Sequence, residues 1–407
     1  MSTGEPRCQD QVVPGASPES YAVISRVQDW AYQNLIPLNA SLEITLRCNI
    51  RCLHCYNFDR DEPREACGKP ELSADEILKV MDDLRAAGCL FLMLTGGEIL
   101  SHPELFRFLD HARTLNLAVH LLTNGTMLRP GVAARLAAYE NLQGVSVSLY
   151  GATAEVHDGV TQMPGSFRRS WEGINRLRNL GVIVRVKFIL MRQNAHETAA
   201  MQAQAEALAL PYMVDLTITA RHDRSEGSLE TRLEPAQLEA LYRGPLRALA
   251  SSGAPKEATE ESFPCNCARG NVAITATGDV LPCVSVPWAA GNVREQPFAE
   301  IWRSSPVFQR IRGLRIADYE QCAPCAHRDH CTRNRGAAFL ASGSYTGVDP
   351  FVCTTAEIAH RLADERAAEP AARPAGLAGP AALAGQVGQA GLAADRPAVR
   401  ARLAVVG

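Results

Sequence analysis

Leu42-Glu-Ile-Thr-Leu46-Arg-Cys48-Asn-Ile-Arg-Cys52-Leu-His54-Cys55 is the stretch on which the reading of this chain turns. Residues 42–46 form a short β-type run, and a loop with three cysteines at spacings of three and two residues follows directly. In a parallel barrel such a loop lies at the C-terminal face, where reactive groups gather. Three thiolates can hold three irons of a [4Fe–4S] cluster and leave the fourth iron open to a small molecule. A zinc ion would need a fourth donor, for which His54 is the candidate.

Outward from this loop the chain alternates in type. Apolar runs at 90–95, 118–123, 144–149, 182–190 and 213–219 read as strands, and helical spacing occupies 74–88, 103–115, 130–139, 167–180 and 197–208. The first helix carries Ile77, Val80, Met81 and Leu84 on one face and opens with Ser73 three residues before Glu76, a capping-box pattern. The second carries Leu105, Phe106, Leu109 and Ala112. Six strand–helix alternations predict an α/β fold with a parallel sheet, and about 180 residues is short of eight units. The expected architecture is a partial (β/α)6 barrel over 42–220, followed by a small cysteine-rich domain over 263–360. Residues 1–41 are an extension with a helix at 21–35, whose Val23, Val27, Trp30 and Ala31 are expected to pack across the barrel. Residues 221–262, with one helix near 235–250, read as a linker, and the Ala/Gly/Pro-rich stretch 366–407 as a disordered tail.

The chain has 407 residues and thirteen cysteines, with 41 basic and 44 acidic residues giving a net charge of −3. No basic stripe suggests a nucleic-acid partner. The first residues carry Glu5 and Asp10 without the apolar run of a secretory signal, and the longest purely apolar run, 89–94, is far short of the ~20 residues of a membrane span. A cytoplasmic chain is expected, with cysteines used for metal or redox chemistry rather than disulfides. Cys89, opening an apolar run, reads as buried core, while Cys8 and Cys67 need no role.

CNIRCLHC resembles the CxxxCxxC motif of the radical SAM superfamily. Thr95-Gly96-Gly97-Glu98 ends the second strand like that family's GGE motif, though Ile99-Leu100 follows where Pro-Leu is commoner, and Thr123-Asn124-Gly125 ends the third. The resemblance implies that Cys48, Cys52 and Cys55 bind a [4Fe–4S] cluster. Gly96, Gly97, Glu98, Asn124, Ser148 and His54 would bind S-adenosylmethionine (SAM): Glu98 or nearby backbone at its amino group, Ser148 near the ribose and His54 near the adenine. A glycine pair at that place would let the backbone approach a ligand closely. The implied chemistry is reductive cleavage of SAM to a 5′-deoxyadenosyl radical that takes a hydrogen atom from substrate.

Seven further cysteines cluster near the back: Cys265, Cys267, Cys283, Cys322, Cys325, Cys331 and Cys353. Taken alone, Cys322-x2-Cys325-x5-Cys331 could be a zinc site with His327 or His330. After a radical SAM barrel it resembles the SPASM domain, with auxiliary [4Fe–4S] clusters, and Gly278-x4-Cys283 then reads as a hairpin strand ending in a ligand. The resemblance assigns Cys322, Cys325, Cys331 and Cys353 to one complete cluster. The other would be held by Cys265, Cys267 and Cys283. Its usual last cysteine is missing, because Thr-Arg-Asn334-Arg335-Gly336 follows Cys331. Its fourth iron would be open or bound by Asn334, water or substrate; alternatively this cluster is absent.

SPASM-bearing relatives modify peptides or proteins. The implied function is an oxidoreductase maturing a ribosomally made peptide, by crosslink, epimerisation or oxidative change. The alternatives are maturation of a peptide-derived cofactor or of a protein such as a sulfatase, or a non-catalytic iron–sulfur scaffold. Val284 follows Cys283 where sulfatase maturases place an aspartate. The 41 residues before Leu42 are too few for a leader-binding domain, so a separate recognition protein is expected, with flavodoxin or ferredoxin as electron donor.

Overall fold

Strand β1 (Asn39–Glu43) has a parallel neighbour on each side, and this placement organises the sheet. The computed structural model describes residues 18–57, 69–248, 262 and 265–368. Cys8, Cys67 and the predicted tail from 369 onward lie outside the described residues. On one side of β1, strands β2 (Phe91–Thr95), β3 (Ala118–Thr123), β4 (Leu142–Leu149), β5 (Val184–Ile189) and β6 (Tyr212–Asp215) follow in order, all parallel. On the other side come β7 (Asn271–Ile274), parallel to β1, and then β8 (Asp279–Leu281) and β9 (Gly291–Asn292), both antiparallel. The expected six-strand unit is present, and the hairpin predicted before Cys283 extends its sheet to nine strands.

Helix α1 (Pro18–Gln33) precedes the sheet. The crossovers use α2 (Ala74–Ala86), α3 (Leu105–Thr114), α4 (Pro130–Ala137), α5 (Ala154–Thr161), α6 (Ser166–Asn179) and α7 (Thr198–Ala207). Helix α2 buries Ile77, Val80, Met81 and Leu84, and its capping box closes through Ser73 and Glu76. Helix α3 buries Phe108 in place of the expected Phe106, because 105, 108, 109 and 112 are the residues that share one face at 3.6 per turn. Phe106 is half-buried under the Arg135 guanidinium instead. These stripes meet Leu42, Leu94, Leu121, Val147 and Val186 in one core. Since strand side chains alternate, Glu43, Thr95, His120, Ser146, Ser148, Arg185 and Lys187 point to the opposite, inner face.

Two further expectations change. Val23, Val27 and Trp30 do not pack across the barrel: Trp30 is 59% exposed, and Ala31 and Tyr32 are the buried residues. The helix docks through its C-terminal end, where Arg269 lies over Tyr32 and Trp302 Nε1 donates to Leu35 O at 2.7 Å. The described part of 221–262 also packs: Leu233, Leu238, Leu241, Tyr242 and Leu246, around α8 (Pro235–Arg243), join the main core, as do the buried faces of α9 (Phe298–Ser304) and α10 (Pro306–Gly313) farther along. Cys89 is buried as expected, and burial pushes its thiol up to about 12. None of the described cysteines is in a disulfide.

The sheet extension is fastened to α2 by Arg294, whose Nε and Nη2 donate to the two oxygens of Glu76 at 2.6 and 2.9 Å. The Arg294 bond, followed by the Ser73 amide, lowers the Glu76 carboxyl to about 2. A depressed acid contributes stability above its usual 4.5, and that contribution is lost as pH falls through about 2. Gln keeps the capping geometry and removes the charge. With Glu76 38% exposed, Glu76→Gln should cost under ~1 kcal/mol near neutrality. Melting curves against pH should show the gap from wild type closing as pH falls through that window.

Candidate active site

The cysteine loop is built by continuing the β1–β2 pairing past the end of β1. Ile44 N donates to Thr95 O at 3.0 Å, Gly97 N to Thr45 O at 2.8 Å and Glu98 N to Arg47 O at 2.7 Å. A Cβ on Gly96 would lie 2.3 Å from Thr45 O, and one on Gly97 2.2 Å from Arg47 O. The glycine pair therefore lets the cysteine loop itself approach the end of β2. From the other side, Arg51 N and Leu53 N donate to Thr161 O and Val160 O at the end of α5, a helix absent from the sequence reading.

Glu98 is fully buried and faces protein. Its carboxylate accepts from Thr123 Oγ1 at 2.6 Å, Asn124 N at 2.8 Å and Leu100 N at 3.1 Å. Burial raises its pKa while these donors pull it back. The side chain joins the ends of β2 and β3. Asn124 continues the join: its Nδ2 donates to Asn49 Oδ1 at 2.9 Å and lies 3.9 Å from Cys48 Sγ.

Beside His54, three aromatic residues that the sequence did not single out, Tyr150, Tyr56 and His222, surround the loop. The Tyr150 hydroxyl bonds Ser148 and Cys52, and burial raises its pKa well above the usual phenol value. The His54 ring lies 4.8 Å from Tyr150, centroid to centroid. Burial, then Lys187, lowers His54 to about 3, so it is neutral, and its Nδ1 is buried without a hydrogen-bond partner. Tyr56 donates to Glu43 Oε1 at 3.1 Å, its ring meets His222, and its carbonyl accepts from His222 N at 2.8 Å. The stretch read as a linker thus closes one side of the loop. Farther in, His120 Nε2 and Ser146 Oγ are 2.8 Å apart, and Lys187 Nζ is 3.6 Å from Asp215 Oδ2.

This donor set fits the expected groups. Three soft sulfurs on one pinned loop suit iron. The unpartnered His54 nitrogen and the polar inner face offer hydrogen bonds beside them.

The rear cysteines gather in two sets. Cys267 hydrogen-bonds the sulfurs of Cys265 and Cys283, and Cys265 Sγ is 3.2 Å from the Tyr345 hydroxyl. The Cys353 thiol, on α12 (Pro350–Ala368), is raised by burial and then by Cys331, Cys322 and Cys325, so these four form the other set. Asn334 is not turned to the three-cysteine set: its Oδ1 caps α11 (Arg335–Ser342), accepting from Ala337 N at 2.9 Å. Tyr345 is the polar side chain that meets this set, and a contact spanning 80 residues leaves no local signal. His327 and His330, the zinc candidates, pack against His360 with ring centroids 4.9 and 5.3 Å away.

A parallel barrel sheet with three cysteines at its C-terminal mouth, and two further cysteine sets behind, defines an iron–sulfur enzyme class. Residues 42–201 match the radical SAM superfamily and residues 265–327 an iron–sulfur cluster-binding domain, SPASM. The chain belongs to the radical SAM superfamily. It is similar to the AdoMet-dependent heme synthase of Methanosarcina barkeri, 31% identical over 76% of this chain and 94% of that protein. It is also similar to mycofactocin maturase MftC of Mycobacterium ulcerans, 30% identical over 81% of this chain and 91% of that protein. The crystal structure of Streptococcus suis SuiB bound to S-adenosylmethionine shares the fold, with a TM-score of 0.61 at 16% identity over 83% of each chain.

Gly97→Ala should force the Arg47 carbonyl, and Cys48 with it, away from the sheet. After anaerobic reconstitution, electron paramagnetic resonance should show the SAM-site signal lost and the rear signals retained. An unchanged SAM-site signal would count against the loop approach as the reason for this glycine.

Proposed function

We propose that this chain cleaves SAM reductively and modifies a ribosomally synthesised peptide at a side chain or Cα. When bound, the cluster and SAM supply an electron and a hydrogen-abstracting radical. The chain's own part is placement. Cys48, Cys52 and Cys55 would hold the cluster, their loop fixed by Gly97 N, Glu98 N and the end of α5. Tyr150 and neutral His54 wall the adjoining space. Burial of these groups excludes water from the reacting region.

One observation carries the peptide reading. The sheet ends at β6, whose outer edge pairs with no strand among the described residues, and Met213 on it is 56% exposed. The inner face therefore opens sideways along a strand edge, a shape suited to an extended chain. Similarity to a maturase over most of the chain supports it. A separate leader-recognition protein and a flavodoxin- or ferredoxin-type reductant belong to this reading. Among the described residues no helix is long and apolar enough to cross a membrane.

A second reading, a carboxylate-bearing haem precursor, is favoured by Arg185 and Lys187, two residues apart on the inner face of β5. It is the substrate class that the name of the Methanosarcina barkeri relative suggests.

The test is co-expression with a candidate precursor peptide, followed by mass spectrometry, beside an anaerobic assay for 5′-deoxyadenosine. A mass change made by wild type and absent with Cys52→Ala is expected. 5′-Deoxyadenosine formation coupled to a tetrapyrrole and to no peptide would select the second reading. No 5′-deoxyadenosine from reconstituted wild type would leave an iron–sulfur scaffold.

A further inference from the structure

We propose that Arg335, stacked on Tyr319 between the two rear cysteine sets, is their shared counter-charge and holds up the reduction potential of both centres. The proposal rests on reading those sets as cluster ligands.

Arg335 opens α11 and is 7% exposed. Its Nε donates to Arg333 O at 3.0 Å and its Nη1 to Gly347 O at 3.3 Å, and its Cζ lies 4.8 Å over the Tyr319 ring. These partners are all neutral. A buried guanidinium without a carboxylate is costly unless negative charge arrives from elsewhere. The chain around it leads to the four-cysteine set. Arg333, whose carbonyl Arg335 holds, donates its amide to Cys331 Sγ at 3.3 Å, and Tyr319, under the guanidinium, accepts at its carbonyl from Cys322 N at 2.8 Å. Tyr319 is 3% exposed, and its buried hydroxyl has no hydrogen-bond partner.

The position is enforced by the backbone. A Cβ on Gly336 would lie 2.0 Å from Ser285 O, so α11 begins in direct contact with the loop that leaves Cys283. Arg335 is thereby fixed beside the three-cysteine set, four residues after Cys331 of the other set. Where the resemblance led one to look for another thiol, the chain places a cation. Iron–sulfur clusters on thiolates are anionic, and reduction makes them more so. A fixed cation stabilises the reduced form, and the potential rises.

The test uses the full chain, reconstituted anaerobically, with iron counting and redox titration followed by electron paramagnetic resonance. Arg335→Gln at wild-type iron content should move both rear midpoints to more negative potential and leave the front one in place. Arg335→Lys, which keeps the charge, should stay near wild type in both. Unmoved rear midpoints in Arg335→Gln, or movement of one alone, overturns the proposal. If Arg335→Gln does not retain iron, Arg335→Lys decides: wild-type midpoints support the charge role, displaced ones overturn it. Wild-type protein with iron at the front site alone would instead overturn the reading of the rear sets as cluster ligands.

Discussion

At the mouth of the barrel, the carbonyl oxygens of Thr45 and Arg47 meet the backbone of Gly96 and Gly97 with no room for a side chain between them. The contact is short because the amides of Gly97 and Glu98 continue the parallel pairing beyond the regular strands. Once it forms, Cys48 has a fixed starting point and Glu98 is turned inward. There its carboxylate collects a hydroxyl and two amides and binds the end of β2 to that of β3. The three cysteines thus sit on backbone held at both ends, by the glycine pair and by the last carbonyls of α5.

Buried charge is handled differently at the two ends of the molecule. Glu98 is buried with three protein donors on its carboxylate. Arg335 is buried against neutral carbonyls and an aromatic face, with no carboxylate partner among the described residues. His54 lies between these cases: burial keeps it neutral, and one ring nitrogen is unpartnered beside the cysteine loop.

What could be read from sequence was what neighbours in sequence decide. The capping box of Ser73 and Glu76 and the α2 stripe are set within a few residues, and both appear as expected. The stripe of Val23, Val27 and Trp30 has the same periodicity and is exposed, since periodicity shows that residues share a face and not what covers it. Asn334 looked like a ligand after Cys331, but a helix start needs an oxygen at that place and takes it first. Tyr345, Tyr150 and Tyr56 escaped notice because their contacts to sulfur or to the inner face come from distant parts of the chain. The joining of β7 to β1 was hidden for the same reason. A four-residue strand carries no mark of its partner.

That last pairing makes the sheet a ruler. Neighbouring strands are held about 4.8 Å apart by their hydrogen bonds, and the front cysteine loop leaves β1 while Cys283 follows β8, two strands away in the same sheet. Because β8 runs antiparallel to β1 and β7, Cys283 leaves the sheet at the end opposite the front loop, so the spacing between the two sites is set by two strand steps together with the length of a strand. Electron tunnelling is steeply sensitive to distance. That length is held by the hydrogen bonds of β1, β7 and β8 themselves, so an electron passing between clusters on the two loops would cross a distance that movement of the outer helices does not alter.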